Sequence, residues 1–264
     1  MQAKSFFTAA LTVAASTIAF STLSAQSAKA VEFGTSWDRN CVGGTGAQSC
    51  SLQNIVNKMT VAGPHIDTTK DTGVQTFSAI GNSATSTYLF SVAGYAPNNT
   101  FGLYKLSDPN TKIQLFDGVT SGIKAGAQTA VSFLSNGSVK VGNQLIKDFG
   151  NQFGFYLDRK GPAPLTVYSQ NALNPNGAQQ MVAYQGNGQT QFKIGGKTQV
   201  FDKNTMLLGF EDLRLAASDK DYNDLALLVS GVRDSRSVSE PTALLALAAV
   251  GGAAALRRRV RSAN

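Results

Sequence analysis

The chain has 264 residues, 42% hydrophobic and only 15% charged, with a formal net charge of +7. That length suits one β-rich domain, or two small ones, with processed ends. The positive charge is not a nucleic-acid footprint: Lys4, Lys29, Arg257, Arg258, Arg259 and Arg261 all lie at the two ends, and the body between them is close to neutral. Residues 1–30 read as an export leader. Lys4 is followed by the apolar run Phe6 to Ala15, and Ala28-Lys29-Ala30 supplies the small-x-small site for signal peptidase.

Residues 31–73 read as an N-terminal cap segment. Cys41 and Cys50 flank a Gly-rich loop. In an exported chain such a close pair is most simply one disulfide. A metal or redox site is the sharper alternative, but no His or further Cys lies nearby. Ser51 is placed to cap a short helix over Leu52 to Met59, with Leu52, Ile55, Val56 and Met59 on one face. Gly63-Pro64 marks its end.

From residue 74 to 234 the pattern is β. Strands are predicted at Thr87–Ala93, Phe101–Leu106, Ile113–Phe116, Gln128–Leu134, Phe153–Leu157, Leu165–Ser169, Gln180–Tyr184, Gln191–Ile194, Met206–Glu211 and Leu225–Val232. Turns are predicted between them, at Gly94 to Thr100 and at Asp108-Pro109-Asn110 among others. Many short strands with frequent turns predict an all-β single domain, a β-sandwich or jelly-roll.

The chemistry concentrates in one segment. Glu211, Asp212, Asp219, Asp221, Asn223 and Asp224 crowd around a short loop between two apolar strands, offset only by Arg214 and Lys220. Carboxylates forced together repel unless a cation sits among them, and hard oxygen ligands without His or Cys suit Ca2+. The spacing of Asp219, Asp221 and Asn223 matches the start of an EF-hand loop. The rest does not: Asp224 stands at the turn glycine and Ser230 at the bidentate glutamate. The bland alternative is a solvated acidic loop. Phe210 and Tyr222 within the cluster argue against it, since they need a core to pack on.

The last residues, 235–264, begin as a polar linker. Thr242 to Leu256 then carries no charge, and the Arg cluster follows at once. The run is a little short of the ~17–25 residues that usually span a bilayer. Its flank still places Arg257, Arg258 and Arg259 on the cytoplasmic side and the body outside. Ser239-Glu240-Pro241, the apolar segment and the Arg tail together resemble the PEP-CTERM sorting signal of exopolysaccharide-producing Gram-negative bacteria, with Ser-Glu-Pro in place of the usual Pro-Glu-Pro. The resemblance implies a C-terminal transmembrane sorting helix, recognition by an exosortase, transient inner-membrane anchoring, and then release to the cell surface or extracellular matrix.

A second resemblance covers residues 87 to 232. Gly209-Phe210-Glu211-Asp212-Leu213 and Ser218-Asp219-Lys220-Asp221-Tyr222-Asn223-Asp224-Leu225 look like the C-terminal signature of an uncharacterised bacterial β domain. That domain occurs in PEP-CTERM proteins and in large calcium-dependent adhesins. The resemblance implies a β-sandwich with calcium at the acidic loop, and no established reaction. Where the family often has Asp-His, this chain has Gln179-Gln180.

Catalytic options are few. His65 is the only histidine, no Gly-x-Ser-x-Gly elbow occurs, and no phosphate-cradling loop is present. The expectation is a non-enzymatic surface or matrix protein, adhesive or associated with exopolysaccharide or surface glycans. The alternatives are a carbohydrate-binding module with a structural calcium and, less favoured, a secreted glycosidase.

Overall fold

The structure is a computed structural model that describes residues 31, 33–34, 51–90, 96–118, 123–161 and 163–237. The leader (1–30), Cys41, Cys50, the sorting motif Ser239, Glu240 and Pro241, the apolar run 242–256 and Arg257, Arg258 and Arg259 lie outside the described residues. Among the described residues no helix is long and apolar enough to cross a membrane.

Among the described residues, one α-helix and a series of antiparallel strands make up the fold. The helix, α1, is Leu52–Met59. The strands are β1 (Thr60–Ala62), β2 (Phe77–Ala79), β3 (Ser83–Phe90), β4 (Asn99–Lys105), β5 (Asp108–Asp117), β6 (Gln128–Phe133), β7 (Val139–Val141) and β8 (Gln144–Ile146). They continue with β9 (Gln152–Arg159), β10 (Leu165–Tyr168), β11 (Met181–Gln185), β12 (Gln191–Ile194), β13 (Lys197–Val200), β14 (Thr205–Phe210), β15 (Leu225–Ser230) and β16 (Val232–Asp234). The first sheet runs β16-β2-β9-β4-β5, with β10 also paired to β9. The second runs β11-β14-β15-β3-β6-β7-β8, and a small third sheet is β1-β12-β13.

Strand alternation explains how these sheets share cores. In the first sheet Phe101 and Leu103 of β4 and Phe153, Phe155 and Leu157 of β9 point to one side. Met206, Leu208 and Phe210 of β14 and Leu225, Leu227 and Val229 of β15 meet them from the second sheet. The contact is sandwich-like: the rings of Phe101 and Phe210 lie edge to face at 5.6 Å, and Phe133 stacks on Phe153 at 5.2 Å. The other faces of β14 and β15 are buried too. Leu207, Ala226 and Leu228 pack with Leu52 and Val56 of α1 and with Tyr184, Phe192, Phe201 and Tyr222. Burial on both faces is why these two strands read as near-continuous apolar runs.

The helix forms where its periodicity predicts. The Ser51 side chain accepts from the Asn54 N–H, and the buried residues are Leu52 and Val56. It stops earlier than the Gly63-Pro64 signal. Thr60–Ala62 leaves the helix as β1 and pairs with β12. Asp108-Pro109-Asn110, predicted as a turn, instead opens β5. That strand is the edge of the first sheet, where proline's missing N–H removes no ladder bond. Of the predicted turn at Gly94 to Thr100, Asn99 and Thr100 belong to β4.

Two strand glycines make room for aromatic rings on the outer face of the first sheet. A Cβ at Gly154 would lie 2.2 Å from Tyr104 Cζ, and one at Gly102 would lie 2.8 Å from the Tyr156 hydroxyl. The Lys112 ammonium sits 4.5 Å above the Tyr156 ring and 3.0 Å from Asp158 Oδ1.

Candidate metal centre

The acidic residues meet because β14 and β15 are a ladder whose last rung is Phe210 opposite Leu225. Glu211 leaves one strand at the point where Asp224 enters the other. Between them the chain makes a 3₁₀ turn at Leu215–Ala217 and then passes through two left-handed residues, Lys220 (φ 58°) and Tyr222 (φ 55°). Left-handed backbone is uncommon outside glycine, and for a bulky tyrosine it is an outlier. Each such residue costs on the order of 1–3 kcal/mol.

Tertiary contacts hold that strained shape. The Tyr222 ring is fully buried and lies edge to face with Phe33 at 5.6 Å, and its hydroxyl donates to the Gln179 carbonyl at 3.1 Å. The Gly34 N–H donates to the Lys220 carbonyl at 3.2 Å, and the Leu52 N–H, first in α1, donates to the Asp221 carbonyl at 3.1 Å. Gly209 permits the approach: a Cβ there would lie 2.7 Å from both Leu52 Cδ2 and the Tyr222 carbonyl.

Glu211 is the centre of the arrangement. Its side chain is 0% exposed. Oε1 accepts from the Tyr222 N–H at 2.6 Å, while Oε2 is buried with no hydrogen-bond partner. Carboxylate oxygens of Glu211, Asp219 and Asp221 all lie within 4.8 Å of one another. Burial pushes the Glu211 carboxyl up to about 8, and the neighbouring charges of Asp221 and Asp219 push the same way. The Tyr222 N–H opposes the shift without cancelling it.

The other predicted ligands take different roles. Asn223 serves Asp221: its backbone N–H donates to Asp221 Oδ1 at 3.3 Å and its amide to Oδ2 at 2.7 Å. Asp212 does not join the Glu211 group. The chain bends at Asp212, and its carboxylate faces the first sheet, where the Asn99 amide donates to Oδ2 at 2.7 Å. Asp224 Oδ2 accepts the Asp212 N–H at 2.8 Å. Burial raises the Asp212 carboxyl, and the Asn99 amide, the Asp224 contact and the Arg159 charge pull against it. Asp224 is pushed up to about 9, first by burial and then by the charges of Asp212 and Glu211.

Three supporting residues escape a reading of the sequence. Asn99 arrives from β4, 113 positions before Asp212. Ser218 lies inside the loop, and its hydroxyl accepts from the Lys220 N–H at 3.3 Å. Gln180, 1% exposed, braces the loop from below. Its amide donates to the Glu211 carbonyl at 3.2 Å and the Leu213 carbonyl at 2.6 Å, and its oxygen accepts from the Leu215 N–H at 2.8 Å. Its signal in the sequence is that Gln179-Gln180 stands, just before a strand, where the resembled family often has Asp-His.

This is chemistry for holding a hard cation. The donors are carboxylate oxygens, one of them buried and unpaired, with neither His nor Cys among them. His65 lies far along the chain in an exposed loop.

Residues 123–231 match a family model described as a domain of unknown function (DUF4114), and the matched stretch contains the whole acidic loop. No curated protein and no solved structure matches the chain.

Proposed function

We propose that this chain is an exported cell-surface or extracellular-matrix protein whose β-sandwich or jelly-roll domain binds Ca2+ at Glu211, Asp219 and Asp221. On this reading it acts in adhesion or within an exopolysaccharide layer and catalyses nothing. One observation carries the metal reading: Glu211 Oε2 is fully buried, lacks a hydrogen-bond partner, and belongs to a carboxylate that meets two more within 4.8 Å. A buried carboxylate oxygen without a partner carries a large desolvation cost. A divalent ion removes that cost and the mutual repulsion together.

The ion would act as a structural clasp. It would join the end of β14 to the loop that leads back into β15, and through the Lys220 and Asp221 carbonyls it would secure residues 33–34 and the start of α1. The address rests on the two ends of the sequence. The leader supports export, and the sorting signal supports exosortase processing and a surface or matrix destination. The matrix role rests on the resemblance to calcium-dependent adhesin domains.

Calorimetric melting with calcium and with chelator tests the metal reading. An ion that binds the folded state alone stabilises it by about 2.7 kcal/mol at a concentration 100 times Kd. The transition should therefore rise clearly on adding calcium. An unchanged midpoint at millimolar calcium would remove the proposal.

A further inference from the structure

We infer that the small third sheet is a docking surface for a linear anionic polysaccharide, held by a stripe of exposed lysines along the β12–β13 hairpin. The class of polymer rests on reading the chain as an exported matrix protein. The surface itself does not depend on calcium.

The body of the chain is close to neutral, but its charge is unevenly spread. Residues 52–62, 123–127 and 187–204 together carry Lys58, Lys124, Lys193, Lys197 and Lys203 against one acid, Asp202. All five lysines are exposed. The ion pairs at Lys70, Lys112, Lys160 and Arg236 leave them out. Asp202 is engaged locally, where its Oδ1 accepts the Asn204 N–H at 2.8 Å.

The fold brings these segments together. β12 turns into β13 through Gly195 and Gly196, both left-handed at φ 55° and 84°, so Lys197 opens β13 opposite Ile194. Loop 123–127 is pressed on that turn: a Cβ at Gly195 would lie 2.5 Å from the Ala125 carbonyl oxygen and 3.5 Å from Gly126 Cα. Lys124 is next to Ala125 and thus stands near the turn. Past the other end of β13, Lys203 lies along Gly188, where a Cβ would be 3.7 Å from its Cγ. Lys58 is in the last turn of α1, two residues before Thr60, which pairs with Phe192. Between them Lys193 faces outward, because its neighbours Phe192 and Ile194 point into the second core.

This layout selects a polymer over a small anion. The charges are strung along a strand rather than gathered at one point: Lys197 and Lys203 bracket β13, whose four residues span about 13 Å. A lone exposed charge is worth little in water, where screening acts over about 8 Å at physiological salt. A chain bearing many anions engages all the lysines at once. Between the charges, the outward row of Gln191 and Val200 and the row of Lys193 and Thr198 offer amide, aliphatic and hydroxyl groups, which suit the hydroxyls and C–H faces of sugars. Val200 is 44% exposed. Phe192 and Phe201 are turned inward, so this hairpin presents no ring on which a nucleobase could stack.

Surface plasmon resonance of the full chain on immobilised polygalacturonate and on neutral dextran tests the surface. Chelator is present throughout, so no ion at the acidic loop can bridge to the polymer. The chain should bind polygalacturonate and not dextran, and added salt should release it. The triple variant Lys124→Gln, Lys193→Gln, Lys197→Gln should bind about tenfold more weakly or worse. The Arg tail is common to both proteins, so the difference reports the stripe. Lys140→Gln with Lys147→Gln, at the β7–β8 hairpin, should bind as the wild type does. A triple variant with wild-type affinity, or a β7–β8 variant weakened as much, would overturn the stripe and leave the calcium reading standing. Tighter binding to duplex DNA than to polygalacturonate would overturn the choice of polymer.

Discussion

The Tyr222 N–H donates to Glu211 Oε1 at 2.6 Å from a residue held in left-handed backbone, φ 55°. That one contact spends half of a buried carboxylate and leaves the other half, Oε2, unpaired beside Asp219 and Asp221. A strained residue thus holds a buried carboxyl with one oxygen bonded and the other without a hydrogen-bond partner. The same backbone carries the Lys220 and Asp221 carbonyls that receive Gly34 and Leu52, so the loop and the N-terminal segment are fixed together.

The first prediction concerns pH. Burial raises the folded-state carboxyls of Glu211, to about 8, and Asp224, to about 9, above their unfolded values near 4. The folded protein therefore binds more protons than the unfolded chain across this window. Stability from these groups is full below about pH 4 and is lost as pH rises through 8 to 9. Urea titrations in chelator at several pH values should show this decline. Calcium holds the carboxylates ionised, so saturating calcium should abolish or reverse it. A chelated protein that grows more stable from pH 5 to 9 contradicts the account.

Glu211→Gln should invert the effect of chelator. The neutral side chain still accepts from Tyr222, and its amide meets the carboxylates of Asp219 and Asp221 as a donor. In chelator at pH 9 the variant should be more stable than the wild type by about 1–2 kcal/mol. With calcium it should be the less stable of the two. Denaturant midpoints in both buffers check the crossing.

Gln180→Ala removes the brace beneath the loop. It leaves the Leu213 carbonyl and the Leu215 N–H without their partner and should cost about 2 kcal/mol or more. It should also weaken calcium binding several-fold although no ion ligand is touched. Calorimetric titration that returns a wild-type affinity for this variant would show that the loop's shape does not depend on Gln180.

Gly154→Ala provides the contrast. The added methyl would lie 2.2 Å from the Tyr104 ring, on the outer face of the first sheet and away from the loop. Overpacking of this kind costs about 1–3 kcal/mol. The melting temperature should fall in chelator and in calcium alike, with the calcium-induced rise preserved. A lost calcium response would mean that the two regions are coupled.

Much of this was legible in the sequence where one physical rule dominates. Alternating or continuous apolar runs located β4, β6, β9, β14 and β15, and Ser51 with its apolar face located α1. The three-residue strands β1, β2, β7 and β8 were not, because three residues give no usable period. The polar β13 was missed too, and β16 was merged into the end of the Leu225–Val232 strand, whereas the four-residue β10 and β12 were located. Pro109 misled for a specific reason: proline breaks a central strand but is tolerated at an edge, and sheet order is a tertiary property. At the site, clustering exposed Glu211, Asp219 and Asp221. Asn99 was hidden, since a lone amide beside a strand carries no signal until the sheets pack, and Gln180 was visible only as half of the pair that stands where the resembled family often has Asp-His, without its bracing role. The split between the faces of Glu211 and Asp212 became visible only with the register of Phe210 and Leu225.

A crystal structure grown in calcium tests the central claim most directly. The account predicts an anomalous peak with carboxylate oxygens of Glu211, Asp219 and Asp221 around it at about 2.3–2.6 Å. Side chains turned apart at saturating calcium, with ordinary water or nothing between them, would contradict it.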